Sequence, residues 1–132
     1  KANKQLESSN LNATALNHMV LLVGQTKSQN LKSLAYQVVS STPKVKHVYN
    51  QISIESPISP LVKSKDSWIT TKVKTAMLTE NGLRSAQIKV LTENGVVYLL
   101  GIVPKSQAEM ATYVARKISG VKKVVKLFQN AN

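Results

Sequence analysis

Two stretches of this chain repeat one another, and that repeat decides what it can fold into. Asn17-His-Met-Val-Leu-Leu-Val-Gly24 is answered by Asn94-Gly-Val-Val-Tyr-Leu-Leu-Gly101 at an offset of 77 residues, and Val45-Lys-His-Val48 by Val121-Lys-Lys-Val124 at an offset of 76. The first copy therefore carries one extra residue between the two markers. Each copy sets an alternating apolar run, a two-residue turn, a second apolar run ending in Gly, a helical stretch and a final strand in the same order. Such a chain folds as two small domains, here residues 1–54 and 66–132, joined by 55–65.

The second copy is the cleaner. Asp66 or Ser67 can cap a helix running to about Thr79, with Ile69, Val73, Ala76 and Met77 at helical spacing for a buried stripe. Gln87–Glu93 alternates as a strand, with Ile88, Val90 and Thr92 on one face. Asn94-Gly95 is a strong hairpin signal, because both central residues of a type I′ turn need positive φ and Gly has no Cβ to oppose it. A strand Val96–Val103 follows and stops at Pro104. Ser106 and Glu109 then read as a capping box for a helix that turns Ala111, Val114, Ala115 and Ile118 inward. Gly120 supplies a left-handed stop before a last strand carrying Val121, Val124 and Leu127 or Phe128. The unit is α-β-β-α-β, with both helices on one face of a three-stranded sheet, an α+β arrangement.

The first copy maps onto it as strand Leu11–Leu16, turn Asn17-His18, strand Met19–Val23, helix Ser28–Thr42 with Leu31, Leu34, Ala35 and Val38 inward, and strand Val45–Ile54. Its His18 stands where the second turn has Gly, and His tolerates positive φ better than most residues. Projecting the opening helix of the second copy back by 77 places its Asp66 at position −11 and its Thr79 at position 2. The first domain is thus expected to lack that helix in this chain. It should then expose an apolar sheet face that a second copy of the molecule, in a homo-oligomer, or the other domain could cover. Between the copies, Pro57 and Pro60 suggest a short, stiff, extended connector.

Charge bears on partners. Eighteen Lys and Arg against six Asp and Glu give a net charge of +12. It is spread along the chain as +5 over residues 1–54, +1 over 55–65 and +6 over 66–132. A field of this sign favours polyanions without choosing among nucleic acid, anionic lipid and acidic glycans. Nucleic-acid binding fits the charge but finds no Gly-x-x-Gly loop between helices and no aromatic pair on a strand, and only two of the eighteen basic residues are Arg. No stretch approaches the roughly 20 apolar residues of a membrane-spanning helix. The chain begins with Lys1 and shows no leader pattern, which reads as a processed product.

Catalytic and metal chemistry find little to work with. The lack of Cys excludes disulfide scaffolds, zinc ribbons and thiol nucleophiles. His18 and His47 have no carboxylate at ligand spacing, so no metal site or other cofactor is expected. Six scattered carboxylates with no Gly-x-Ser-x-Gly offer no triad, which argues against an enzyme. Gly24 and Gly101 read as structural positions where a helix crosses the sheet closely or a strand bulges, rather than as sites of ligand approach.

The hairpin-Gly-helix pattern of each half, and above all Asp66-Ser-Trp-Ile-Thr-Thr-Lys-Val73, Thr92-Glu-Asn-Gly95 and Ser119-Gly-Val-Lys-Lys-Val124, resembles BON domains. Two in tandem resemble the DolP-like dual-BON lipoproteins of Gram-negative outer membranes, over about 120 of the 132 residues. The resemblance implies a periplasmic protein at the inner leaflet of the outer membrane. It would be held by an acylated Cys, which would have to lie upstream of Lys1, and would bind anionic phospholipid such as phosphatidylglycerol or cardiolipin and support envelope integrity.

The resemblance makes the opening helix of the second domain the lipid-contacting element, with Trp68 at its centre. Trp68 and Lys72 lie four residues apart and share a helix face, with the stripe of Ile69, Val73 and Ala76 about 100° to one side. Trp suits a headgroup boundary, and Lys63, Lys65, Lys72 and Lys74 would each add about 1 kcal/mol near an anionic surface. Leu78 and Leu83 would deepen insertion. Taken without the resemblance, Trp68 packs between the domains or staples the helix start. A third class, an envelope adaptor or chaperone that holds proteins through a sheet face or edge strand, needs no special residues.

Overall fold

A computed structural model describes residues 6 and 8–131. The chain divides into two compact units between Ser59 and Pro60. In the first, β1 (Asn10–Leu16) and β2 (Met19–Thr26) form an antiparallel hairpin, α1 (Gln29–Ser40) crosses over, and β3 (His47–Ile54) pairs parallel with β2, giving the order β1-β2-β3. In the second, α2 (Pro60–Leu78) and a short 3₁₀ turn (Ser85–Gln87) precede β4 (Ile88–Glu93), β5 (Val96–Val103), α3 (Lys105–Arg116) and β6 (Lys123–Asn130), in the order β4-β5-β6. The two sheets repeat each other in register. Met19 lies opposite His47 and Val96 opposite Lys123, the offsets of 77 and 76 reappearing as geometry. A parallel pair needs a crossover, and the helix after each hairpin supplies it.

The core of the second unit is a seam between two helices and one sheet face. Ile69, Val73 and Met77 of α2 meet Ile88 and Val90 of β4, Val97, Leu99 and Val103 of β5, and Ala108, Ala111, Val114 and Ala115 of α3. The alanines let α3 lie close to the sheet, and Ala111 and Ala115 are fully buried. At about 1.5–3 kcal/mol for each large apolar side chain removed from water, this cluster is the unit's main source of stability. The corresponding cluster in the first unit is smaller, with Val20, Leu22, Ala35 and Ile52 backed by half-buried Leu11, Val39, Val45 and Val48. Of the inward stripe expected on α1 only Ala35 is buried, while Leu31, Leu34 and Val38 are half-buried.

Three local expectations are corrected. Pro60 begins α2 rather than ending regular structure, so the helix starts six residues before Asp66 and the segment outside it shrinks to 55–59. Proline suits the first turn of a helix, where its missing N–H has no partner to lose and its φ is already helical. Asp66 therefore lies inside α2, buried, and is not its cap. Nor do Ser106 and Glu109 form a capping box. Pro104 occupies the cap position, its carbonyl accepts from Gln107 N (3.0 Å) and Ala108 N (3.1 Å), and no side chain caps the helix.

At Gly24 the close neighbour is a strand rather than a helix, and at Gly101 it is the end of the 3₁₀ turn that leads into β4. A Cβ on Gly24, whose φ is +124°, would lie 2.0 Å from the carbonyl oxygen of Asn10 on β1, and one on Gly101 would lie 2.9 Å from that of Gln87. The expected exposed apolar face of the first unit is reduced to its β1 margin. β2 is buried along its whole length, whereas Ala13 and Ala15 of β1 are exposed at the positions where β4 buries Val90 and Thr92.

Candidate functional site

Helix α2 has two sides of opposite character. Ile69, Val73 and Met77 point into the core, while Leu61, Trp68 and Leu78 are exposed at 66%, 62% and 74%. At about 100° per residue, Leu61, Trp68, Lys72 and Lys65 fall within about 60° of one another, Lys63 and Lys74 lie together on the opposite flank, and Leu78 lies between. Large apolar side chains thus occupy the outer face of α2, with two lysines along each margin. Trp68 belongs to that face and is not packed into the core.

Beside Trp68 the helix forms one wall of a cleft of about 410 Å³. Val62, Lys65, Trp68, Ile69 and Lys72 line it from α2, Asn94 and Gly95 from the β4–β5 turn, and Ser119, Gly120 and Lys122 from the segment leading into β6. At its base the Asp66 carboxylate accepts hydrogen bonds from the backbone N–H groups of Asn94 (2.6 Å) and Gly95 (2.8 Å). These satisfy turn donors that would otherwise be buried without partners. Lys72 Nζ donates to the Ser119 carbonyl at 3.1 Å and stands 6.0 Å from the centroid of the Trp68 ring. Lys122 Nζ donates to Asn94 Oδ1 at 3.5 Å.

The turn and stop glycines build this cleft. Gly95 has a φ of +79°, and a Cβ there would meet Cγ, Cδ and Cε of Lys122 at 3.0 Å. Gly120 has a φ of +94°, and its Cβ would press on Cδ1 of Ile69 at 3.2 Å.

The structure thus brings Trp68, Lys65 and Lys72 together around one cleft and separates the other expected residues from it. Lys74 and Leu78 line a second hollow of about 270 Å³ at the far end of α2, and Lys63 is exposed on the same flank as Lys74. Leu83 is half-buried against the core. Sequence reasoning missed Leu61, because it placed residue 61 in the connector. It also missed Lys122 as a neighbour of Trp68, since that proximity depends on the parallel β5–β6 register that sets Val96 opposite Lys123. Among the described residues no group of three or more His, Asp or Glu is placed to hold a metal ion, and no helix is long and apolar enough to cross a membrane.

The BON domain model matches residues 1–56 and again 65–132. The chain belongs to the BON domain family. It carries two BON domains in tandem, each with a mixed three-stranded sheet. Among curated relatives, this BON chain is 43% identical to "Outer membrane lipoprotein DolP" of Haemophilus influenzae, over 90% of its own length and 62% of the relative's. It is 36% identical to "21 kDa hemolysin" of Actinobacillus pleuropneumoniae, over 92% of its length and 62% of that protein's. An uncharacterized protein of Anaplasma centrale is 32% identical over 80% of the chain and 72% of its own length. The chain spans less than two thirds of the first two relatives.

Proposed function

We propose that this tandem BON chain is a non-catalytic module that binds anionic phospholipid, phosphatidylglycerol or cardiolipin, at the periplasmic inner leaflet of the outer membrane and so supports envelope integrity. One observation carries the reading. The outer face of α2 presents Leu61, Trp68 and Leu78 to water, with Lys65 and Lys72 along one margin and Lys63 and Lys74 along the other. At a headgroup boundary the ring enters the apolar layer while flanking ammonium groups meet phosphates. The membrane is taken to be the outer one from the name of the 43% identical relative.

Vesicle flotation tests it. The chain should float with vesicles containing phosphatidylglycerol or cardiolipin, less as salt rises, because the lysine contribution is screened. Trp68→Ala should weaken binding about tenfold, the loss of part of an indole's burial, while Arg116→Ala on α3 should change it little. Equal binding to neutral phosphatidylcholine vesicles would overturn the proposal. Retention of a defined protein partner with indifference to vesicles would favour an adaptor instead, and retention on RNA or DNA a nucleic-acid role.

A further inference from the structure

We propose that the open edge of β4 binds an extended polypeptide segment in which apolar residues alternate with acidic ones. The segment adds a fourth strand to the second sheet and sets one apolar side chain into the hollow at the far end of α2. This goes beyond the lipid reading and does not depend on it. β4 stands at the margin of the order β4-β5-β6. Its hairpin closes with Glu93 opposite Val96, through a turn with φ of +52° at Asn94 and +79° at Gly95, the two-residue type I′ form. The closing pair exchanges both backbone hydrogen bonds, and the exchange recurs at every second residue, at Leu91 and Lys89. Ile88, Val90 and Thr92 therefore turn their backbone N–H and C=O groups away from β5. The Ile88 N–H accordingly donates to the Ser85 carbonyl. Among the described residues no hydrogen bond reaches the outward backbone groups of Val90, which lines the hollow. Backbone groups beside an apolar wall gain most from a partner strand.

The hollow and the charge beside it define the segment. At about 270 Å³ the hollow is smaller than small-molecule sites, which run to about 300–1,000 Å³, and suits a single side chain. Met77 and Leu78 of α2, Ala86 of the 3₁₀ turn, and Ile88 and Val90 of β4 make its wall apolar, and Lys74 stands beside them. A groove between an edge strand and a helix suits strand addition, in which main-chain hydrogen bonds give affinity and a pocket reads alternate side chains. Along β4 the side chains alternate too. Val90 packs into the core, whereas Lys89 is exposed on the other face. A lysine on an edge strand discourages indiscriminate pairing, and an acidic residue opposite it turns that repulsion into attraction. The net charge of +12 draws an acidic segment in from a distance.

The test is a titration of the isotope-labelled full chain with a capped heptapeptide that alternates Asp with Val and Leu, followed by amide NMR signals. Saturable shifts are expected at Ala86, Lys89 and Val90, with slowed hydrogen exchange at the Val90 amide, which a side-chain contact alone would not produce. The same peptide with Lys in place of Asp should not bind. Lys89→Glu should weaken the acidic peptide about fivefold and admit the Lys peptide instead, while Lys126→Glu, the same charge change on β6, should leave the affinity unchanged. Ala86→Phe, which blocks the hollow from its exposed rim, should abolish binding. Absence of shifts, or equal binding of both peptides, would overturn the proposal. Shifts at these amides that follow protein concentration alone would overturn it in favour of a second copy of the chain. The same shifts with phosphatidylglycerol vesicles but not with peptide would overturn it in favour of lipid.

Discussion

Asp66, inside α2, reaches across 29 residues of sequence to hold Gly95 at 2.8 Å, and its second oxygen holds Asn94 at 2.6 Å. A buried carboxylate with two backbone donors ties the helix to the hairpin and sets the width of the cleft between them. Asp66→Ala removes both acceptors and leaves two turn N–H groups unsatisfied, for a loss of about 2–4 kcal/mol in urea unfolding. Asp66→Asn keeps one acceptor and should lose about half as much. Equal losses for the two variants would mean that packing, not the paired hydrogen bonds, is what Asp66 provides.

Glycine substitutions should rank by what the new Cβ meets. Gly24→Ala faces a backbone oxygen at 2.0 Å with φ at +124° and should cost more than about 3 kcal/mol, enough to unfold the first unit. Gly82→Ala has φ at +84° but nothing nearer than Met110 Cε at 4.0 Å, and should cost only the left-handed penalty of about 1 kcal/mol. Thermal unfolding of the two variants checks the ranking.

Two residues of the first unit carry conformations that the second gives to glycine. Lys44 sits at φ +74° where its counterpart is Gly120, and His18 at φ +68° where its counterpart is Gly95. Lys44→Gly should therefore stabilise the protein by about 0.5–1 kcal/mol. His18→Gly should be close to neutral, because relief of the same strain is offset by losing the 3.0 Å contact of His18 Nδ1 with the Lys44 carbonyl. Denaturant midpoints of the two variants distinguish these outcomes.

Burial, with the Glu93 carboxylate nearby adding to it, pushes the Tyr98 phenol above the usual tyrosine value. The native state keeps this proton at pH values where the unfolded chain releases it. The stability it contributes is intact below about pH 10 and is lost as pH rises from there toward the folded value. Urea unfolding at about pH 9 and about pH 11 should show a smaller drop for Tyr98→Phe than for the parent chain. Identical drops would assign the alkaline loss to other groups.

Much of the architecture could be read from the residues alone. Asn94-Gly95 fixed the hairpin between β4 and β5, whose limits at Val96 and Val103 match the expected ones, and the offsets of 77 and 76 carried that reading to the first unit. Helix starts were harder. Pro60 reads equally as a breaker or as a helix start, because proline both ends and begins helices, and only the packing of α2 on β4 shows which applies. Asp66 and Ser106 have the chemistry of caps, but chemistry does not tell whether a side chain turns to its own helix or to another element. Gln107 was missed for the same reason. Buried on α3, it accepts from Arg84 N at 2.8 Å and donates to the Gly82 carbonyl at 2.9 Å, holding the loop after α2. At the candidate site, the shared face of Trp68 and Lys72 is legible from helical spacing, whereas Lys65 falls in the expected connector and joins them only because α2 begins at Pro60, and Lys122 arrives through sheet register, which pairs residues distant along the chain.

The stem of Lys122 lying across Gly95 makes the two halves of the repeat unequal under mutation. His18 shows that the shared turn accepts a side chain at the same backbone angle. At residue 95 a Cβ would meet the stem of Lys122 at 3.0 Å, so the lysine would have to shift. Substitution at residue 95 must therefore displace the Lys122 stem as well as accept a positive φ, whereas residue 18 already holds a side chain. A saturation library would show it, with position 18 returning more amino acids than position 95.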